Sequence, residues 1–241
     1  MFNNKFIIAT SLTLAALLAA PTVFAADTKV PESNINTDWL KNRFSDETPE
    51  SIKLRSAPGD PVAGKDKSLL CQGCHGEKGM TAEPMIPHLA GQYGVYISKN
   101  LRNFQTGVRT HQIMNAMAAT IDDNDLADIS AYFASMPKMT GDGSGDTNPK
   151  MQVGKKLFLV GDMSRMVIGC TNCHGVGGKG RAPNISMFPV IGGQQAGYLR
   201  GQLQNWRNSQ RTNSANGIMN TIAKKLTDAE IDSLAEYIST L

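Results

Sequence analysis

The chain contains a Cys-x-x-Cys-His pentapeptide twice, at residues 71–75 and 170–174, and these two sites use all four of its cysteines. The pattern is typical of haem c attachment, in which two thiols add to the haem vinyl groups and the adjacent histidine ligates the iron from one face. The sequence therefore predicts two covalently bound haem c groups, with these attachment residues and axial ligands: Cys71, Cys74, Cys170, Cys173, His75 and His174.

Three other uses of paired cysteines suit this sequence less well. Structural disulfides are common in exported proteins, but they do not need a histidine after each pair. A single zinc site would have to join two pairs that lie 99 residues apart, each with its own histidine. A thioredoxin-like redox pair needs a βαβ context, and the sequence shows none.

The first 25 residues have the features of an export signal. Lys5 supplies the positive start, residues 6–20 are apolar, and Val23-Phe24-Ala25 offers a cleavage site after Pro21. We therefore predict a signal peptide over residues 1–25 and a periplasmic mature protein that is soluble or loosely attached to the membrane. The apolar run is short for a bilayer span of about 20 residues, and an uncleaved anchor stays open as the alternative.

The charge of the chain is nearly balanced but unevenly distributed. Residues 26–140 contain 12 Lys/Arg against 14 Asp/Glu, whereas residues 141–241 contain 11 against 7. Such asymmetry can steer docking, although ordinary surface scatter explains it equally well. There is no clustering of basic residues, so the sequence does not predict nucleic-acid binding.

The two halves of the chain repeat each other well beyond the haem motifs. At an offset of 102 the matching pairs are Gly91 and Gly193, Gln92 and Gln194, Tyr96 and Tyr198, Arg109 and Arg211. Further along, the offset becomes 105, and the matching pairs are Met114 and Met219, Ile121 and Leu226, Tyr132 and Tyr237. These matches indicate a duplicated domain.

Each copy has the same helical pattern. Apolar residues at helical spacing predict helices through 97–104 and 199–206, and again through 126–133 and 231–238. A capping box at Thr227 to Glu230 opens the last helix, and Asp122 to Asp125 is its weaker counterpart. One further helix should precede each haem motif, near 61–70 and 151–160. The predicted fold is all-α, with an N-terminal extension over 26–57, domain 1 over 58–138, a linker over 139–150 and domain 2 over 151–241.

The second axial ligand decides whether the sixth coordination position of the iron is occupied, as in an electron carrier, or vacant, as in an enzyme that binds a substrate there. Domain 2 contains no histidine besides His174, so a methionine is the next candidate. In domain 1, Met114 competes with Met117 and His111. The repeat selects Met114, because Met219 is its equivalent, whereas Met117 matches Ile222 and His111 matches Asn216. We therefore predict axial ligation by Met114 and Met219.

A proline follows each ligating histidine at a similar spacing. Pro87 lies 12 residues after His75, and Pro189 lies 15 residues after His174. A proline carbonyl at this place can accept the free ring N–H of the histidine and make the ring a better iron ligand. The alternative is that both are simple loop prolines.

With these motifs the chain resembles the class I cytochromes c, and specifically the two-haem bacterial cytochrome c-four family, over residues 58–241. The resemblance is carried by both C-x-x-C-H-G motifs, by Pro-His-Leu-Ala-Gly-Gln at 87–92, by Val-Ile-Gly-Gly-Gln at 190–194 and by Leu-Ala-Asp-Ile-Ser-Ala-Tyr-Phe at 126–133. It implies two tandem cytochrome c domains with His/Met haems whose edges face each other. It also implies a periplasmic carrier, with no catalytic residues, that takes electrons from a donor such as a cytochrome bc complex to a haem-copper terminal oxidase.

Two departures from the family leave questions open. The extension over 26–57, with Trp39, Leu40 and Phe44, either drapes over domain 1, binds a partner or is a tether. The small–aromatic helix contact usual in cytochromes c is indicated by Gly154 and Phe158 in domain 2, but domain 1 has Ser68 at the aromatic position.

Two other functions are weighed against the diffusible carrier. One is an electron-transfer subunit of a dehydrogenase complex, which the N-terminal extension favours. The other is a dihaem peroxidase, which needs a vacant iron site and is opposed by the matched methionines.

Overall fold

A computed structural model of the chain describes residues 59–181 and 188–241. The predicted signal peptide and the predicted extension over 26–57 lie outside these residues. The described residues fall within one compact unit, 47–241, which includes both repeats. Across the described ranges, no helix is both long enough and apolar enough to pass through a bilayer.

The structure is helical, and the two repeats present their helices in the same order. In the first repeat the helices are α1 Pro61–Lys67, α2 Leu69–His75, α3 Gly94–Gln105, α4 Gln112–Ala119 and α5 Asp123–Ala134. In the second they are α6 Gln152–Leu159, α7 Thr171–His174, α8 Ala196–Arg207, α9 Ile218–Ala223 and α10 Asp228–Ser239. The helices predicted from hydrophobic periodicity are confirmed as α3, α5, α8 and α10, and the helices expected before the haem motifs are confirmed as α1 and α6.

The last helix of each repeat begins where the sequence predicts. The Thr227 side chain accepts from the Glu230 backbone N–H, and the Glu230 carboxylate accepts from the Thr227 backbone N–H at 2.9 Å, which completes the capping box. At α5 the Asp122 carboxylate accepts from the Asp125 backbone N–H at 2.8 Å. Both caps satisfy N–H groups that a helix cannot satisfy internally.

The first and last helices of each repeat cross at a glycine. A Cβ atom on Gly64 of α1 would lie 2.0 Å from the Asp128 carbonyl oxygen of α5. A Cβ atom on Gly154 of α6 would lie 2.1 Å from the Ser233 carbonyl oxygen of α10. Because no side chain fits in such a gap, glycine is what lets these helices touch.

The aromatic residue of the small–aromatic helix contact is present only in the second repeat. Phe158 is fully buried and packs edge-on against Tyr237, with 5.6 Å between ring centroids. In the first repeat, Ser68 is equally buried, and its hydroxyl donates to the Lys65 carbonyl at 2.9 Å. The sequence left the packing of domain 1 in doubt, and the structure keeps the close glycine contact there without the aromatic pair.

Each repeat has its own apolar core. Ile97, Leu101, Phe104, Ala118, Leu126, Ile129 and Phe133 form the first core. Leu157, Phe158, Val167, Leu199, Leu226, Ile231, Leu234, Ala235, Tyr237 and Ile238 form the second. A smaller cluster of Tyr93, Met139 and Val190 joins the repeats.

The second repeat contains an insertion that the offsets of the haem motifs do not show. Gly64 and Gly154 are 90 residues apart, whereas the cysteine motifs are 99 apart. The additional residues form a short antiparallel hairpin, β1 Gly161–Asp162 and β2 Val167–Ile168. Arg165 at its turn binds the Glu230 carboxylate at 2.6 Å, which ties the hairpin to α10.

The predicted linker over 139–150 is packed against the end of the chain. The Gly141 N–H donates to the Leu241 carbonyl at 2.6 Å, and the Gly143 N–H donates to the Thr240 carbonyl at 2.7 Å. Met139 is buried between the repeats. The segment therefore joins the repeats as an ordered part of the fold.

Two equivalent arginines bridge the repeats reciprocally. Arg109 donates to the Tyr198 hydroxyl at 2.9 Å, and Arg211 donates to the Tyr96 hydroxyl at 3.1 Å. The buried Asn100 side-chain oxygen accepts from Arg109 at 2.9 Å and from Arg211 at 3.2 Å. Since each arginine contacts the tyrosine of the other repeat, the interface has approximate twofold symmetry.

Candidate haem sites

The first cysteine motif lies within α2, whereas in the second Cys170 directly precedes α7 and Cys173 lies within it. Cys71 and Cys170 are half-buried, and each packs against the apolar core of its own repeat. Neither cysteine pair forms a disulfide. His75 ends α2 and His174 ends α7, and each is 7% exposed.

A proline carbonyl holds each histidine ring, as the sequence predicts. His75 Nδ1 lies 2.8 Å from the Pro87 carbonyl oxygen, and His174 Nδ1 lies 3.0 Å from the Pro189 carbonyl oxygen. A carbonyl can only accept, so Nδ1 carries the proton and Nε2 presents its lone pair. This is the arrangement of a metal-ligating histidine with its second nitrogen tethered.

Both imidazoles are suited to remain neutral. Burial lowers the pKa of His75 and of His174, and this effect outweighs the carbonyl bond, which favours the protonated form. A neutral ring is required for metal ligation, because a protonated Nε2 has no lone pair to donate.

A glycine after each histidine turns the chain so that the proline can return beneath the ring. Gly76 has φ +82° and Gly175 has φ +78°, a region that favours glycine. A Cβ atom on Gly76 would also lie 1.9 Å from the Met80 carbonyl oxygen. These contacts explain why both motifs continue as C-x-x-C-H-G.

The two predicted methionine ligands occupy equivalent places. Met114 lies in the first turn of α4, half-buried against the same core as Cys71. Met219 lies in the first turn of α9 and is also half-buried. The ligation of iron by these methionines stays a prediction.

An asparagine after each methionine braces its helix, and the sequence reasoning missed this pair. The Asn115 amide donates to the Phe104 carbonyl at 2.6 Å and to the Arg109 carbonyl at 3.1 Å. The Asn220 amide donates to the Trp206 and Arg211 carbonyls at 2.8 and 2.7 Å. The signal was available, since Met-Asn recurs at the offset of 105.

The second repeat contains a buried donor whose partner is not provided by the protein. Trp206 Nε1 is the one buried side-chain polar atom of the described residues that lacks a hydrogen-bond partner. Arg211 lies over the Trp206 ring, 4.2 Å from its centroid, and brings positive charge beside this donor. A buried donor of this kind calls for an acceptor, and an anionic carboxylate arm of haem meets that need. The residues present therefore fit haem.

The zinc alternative does not fit the site. Among residues 59–181 and 188–241, no group of three or more His, Cys, Asp and Glu side chains could hold a metal ion. Each cysteine pair therefore serves its own repeat.

The two remaining histidines have hydrogen-bonding roles. His88 is buried, and its Nδ1 accepts from the Thr81 backbone N–H at 3.1 Å. His111 caps α4 by accepting from the Met114 backbone N–H. Each of these histidines therefore has a hydrogen-bonding partner within the protein backbone.

Replacing Cys170 and Cys173 together with alanine should leave one covalent haem per chain, because the two motifs act in separate repeats. Mass spectrometry of the exported protein would measure the loss of one haem mass. The matched control is Ser164→Ala on the neighbouring hairpin, which should retain both haems. Loss of both haems in the cysteine variant would contradict independent attachment.

Comparisons with known proteins agree with this geometry. The family model described as Cytochrome c matches residues 62–137 and again residues 152–241. Cytochrome c4 of Pseudomonas aeruginosa is 39% identical over 189 residues, which cover 78% of this chain and 92% of that protein. The thiosulfate dehydrogenase electron acceptor of Stutzerimonas stutzeri is 32% identical over 196 residues, which cover 79% of this chain and 89% of that protein.

A solved structure extends the likeness to the fold. The crystal structure of reduced recombinant cytochrome c4 from Pseudomonas stutzeri superposes with a TM-score of 0.70 at 35% identity, covering 76% of this chain and 99% of that one. The prediction of two tandem cytochrome c domains is thus confirmed. The chain belongs to the cytochrome c family, as an electron carrier of the cytochrome c4 type with two covalently bound haem c groups.

Proposed function

We propose that this protein is a periplasmic carrier that passes single electrons between respiratory-chain components, toward a terminal oxidase. The observation that carries the proposal is the duplicated histidine tether, His75 to Pro87 and His174 to Pro189, in two repeats of one compact unit. Two equivalent sites in one body let an electron enter at one repeat and leave from the other.

We assign the covalent attachment to Cys71, Cys74, Cys170 and Cys173. When bound, each haem iron supplies a one-electron couple. His75 and His174 would hold the iron through Nε2, and the Pro87 and Pro189 carbonyls hold the two rings in one orientation. Because burial and backbone hydrogen bonds fix these ligands, little rearrangement opposes electron transfer.

Met114 and Met219 would each supply a thioether sulfur to one iron. A thioether sulfur is a soft ligand that favours the reduced metal and raises the potential. With a histidine and a methionine holding each iron, the sites would leave no place for a substrate, as expected for a carrier rather than an enzyme. Asn115 and Asn220 hold the two methionine helices to the ends of α3 and α8.

The partners follow from this role. We infer a donor such as a cytochrome bc complex and an acceptor such as a haem-copper terminal oxidase. The signal-like residues 1–25 support export to the periplasm, where such partners expose their docking sites. A loose attachment to the membrane is compatible with the same segment if it is retained.

A redox titration of the purified protein, followed by optical spectroscopy, tests the proposal. We expect two reversible one-electron waves, and a weak methionine–iron charge-transfer band near the red edge in the oxidised protein. Incubation with peroxide should cause no rapid turnover. High-spin ferric haem or fast peroxide consumption would instead indicate an open iron and a dihaem peroxidase.

A second candidate is an electron-transfer subunit of a periplasmic dehydrogenase. The relative named as a thiosulfate dehydrogenase electron acceptor favours it, since it covers most of this chain. Affinity purification of the tagged protein from the periplasm distinguishes the two roles. A stable catalytic partner supports the subunit role, whereas recovery as a lone dihaem protein supports the diffusible carrier.

A further inference from the structure

Two equivalent glutamines cross the interface and bind the backbone of the opposite repeat. Gln92 donates to the Val190 carbonyl at 2.8 Å and accepts from the Val190 N–H at 3.0 Å. Gln194 donates to the His88 carbonyl at 2.9 Å and accepts from the His88 N–H at 2.8 Å. Gln92 is 5% exposed and Gln194 is 4% exposed, so bulk water does not compete for these bonds.

The two residues bound by the glutamines are the ones that follow the tethering prolines. The Val190 N–H and the Pro189 carbonyl belong to one peptide group, and this carbonyl accepts from His174. Likewise, the His88 N–H shares a peptide group with the Pro87 carbonyl, which accepts from His75. A continuous chain of hydrogen bonds therefore runs from a glutamine of one repeat to the histidine of the other.

We propose that Gln92 and Gln194 are positioning residues that set the hydrogen bond to the iron-ligating histidine of the opposite repeat. Each repeat thereby tunes the reduction potential of the haem in the other. The proposal rests on the proposed ligation of iron by His75 and His174.

The direction of the effect follows from the polarisation of the peptide group. When the glutamine oxygen accepts from the N–H, the carbonyl on the same peptide group gains negative charge, because hydrogen bonds in a chain strengthen one another. The histidine Nδ1–H then donates more strongly, and its Nε2 becomes a better donor to the metal. A stronger donor stabilises the oxidised iron, so each glutamine lowers the potential of the opposite haem.

Replacing each glutamine with methionine tests this role, because methionine has the same chain length and no amide. We expect Gln92→Met to raise the midpoint potential of the second-repeat haem and Gln194→Met to raise that of the first. Because cooperative strengthening changes a single hydrogen bond by only about 10–30%, we expect a modest shift of the reduction equilibrium, about two- to fourfold. At 59 mV per tenfold change for one electron, this shift equals about 18 to 36 mV.

The neighbouring residue Gln195 supplies a matched control. Its side-chain amide donates to the Thr81 carbonyl at 2.6 Å and so also crosses the interface. It makes no hydrogen bond to the Pro87–His88 peptide group. Gln195→Met should therefore weaken the contact between the repeats without raising the potential of the first-repeat haem.

A second measurement reports directly on the hydrogen bond between the histidine Nδ1–H and the proline carbonyl. In the reduced protein, hydrogen exchange of the His174 Nδ1–H, followed by proton NMR, should be faster in Gln92→Met, while that of His75 is unchanged. Gln194→Met should have the reverse effect. Either variant suffices if the other fails to fold, since each makes its own crossed prediction.

If each glutamine variant changes the potential of the haem in the opposite repeat only, the glutamines tune the haem potentials and do not merely stabilise the fold. Equal shifts of both haems in one variant, a shift of the haem in the same repeat only, or the same shift in Gln195→Met would overturn the proposal. A wild-type protein without two histidine-ligated irons would instead refute the proposed function. The two failures are therefore distinguishable.

Discussion

Replacing Met219 with alanine is expected to leave both haems attached but to open one iron to carbon monoxide. The midpoint potential of that haem should fall by a few tenths of a volt, within the range of about 0.8 V that axial ligation spans. The physical reason is that a soft thioether favours ferrous iron, whereas the water that would replace it does not. Cys170, at the N-cap of α7, and Cys173, within α7, are the proposed attachment residues, and this substitution leaves both unchanged.

Carbon monoxide difference spectra and a redox titration of the purified variant provide the measurement. We expect one carbon monoxide-binding haem per chain and one displaced wave, with the other wave unchanged. The control is Met163→Ala, because Met163 is 69% exposed on the hairpin and should not affect either haem. If Met219→Ala behaves like the wild type, another residue ligates the iron of the second repeat.

Replacing Gly154 with valine is expected to destabilise the second repeat by about 3–5 kcal/mol, the size of the more severe core substitutions. A Cβ atom at this position would lie 2.1 Å from the Ser233 carbonyl oxygen, so α6 and α10 would have to separate. Separation would also break the hydrogen bond from the Gly154 N–H to the Ser233 hydroxyl, which is 2.8 Å long. Since domains are stable by only about 5–15 kcal/mol, this is a large fraction of the total.

Urea unfolding followed by far-UV circular dichroism would measure the loss as a lower transition midpoint. Gly201→Ala is the matched control, because Gly201 is also in a helix and the nearest atom to its Cβ would be 3.9 Å away. That change should be neutral or stabilise the protein by up to about 1 kcal/mol through helix propensity. An unchanged midpoint in Gly154→Val would show that the helices do not cross as closely as described.

The features that depend on local sequence were largely predictable. The helices around the two cores follow from apolar spacing along short stretches of chain, and the capping box at Thr227 is read from four consecutive positions. The histidine tethers were also predicted, because Pro87 and Pro189 lie close enough in sequence for a short loop to bring each of them to its histidine.

The inserted hairpin was missed because it precedes the second cysteine motif. The offset between the two copies, followed from the cysteine motifs onward, reveals only insertions that lie after the motifs. Its strands are two residues long, which is too short for an alternating pattern to be recognised. The linker was recognised from its Gly, Asp and Pro content, but its contact with Leu241 depends on a chain end about 100 residues away.

The sequence by itself determined that this chain holds two haems in two helical repeats, since the reactive residues and the helix signals lie within short segments. The tertiary structure alone decided how the repeats are joined. Gln92 and Gln194 were visible as a repeated pair, but their roles depend on contacts with residues 98 and 106 positions away. Hydrogen bonds across such separations are set by the packing of the folded repeats, and no local pattern specifies which backbone group a buried side chain will meet.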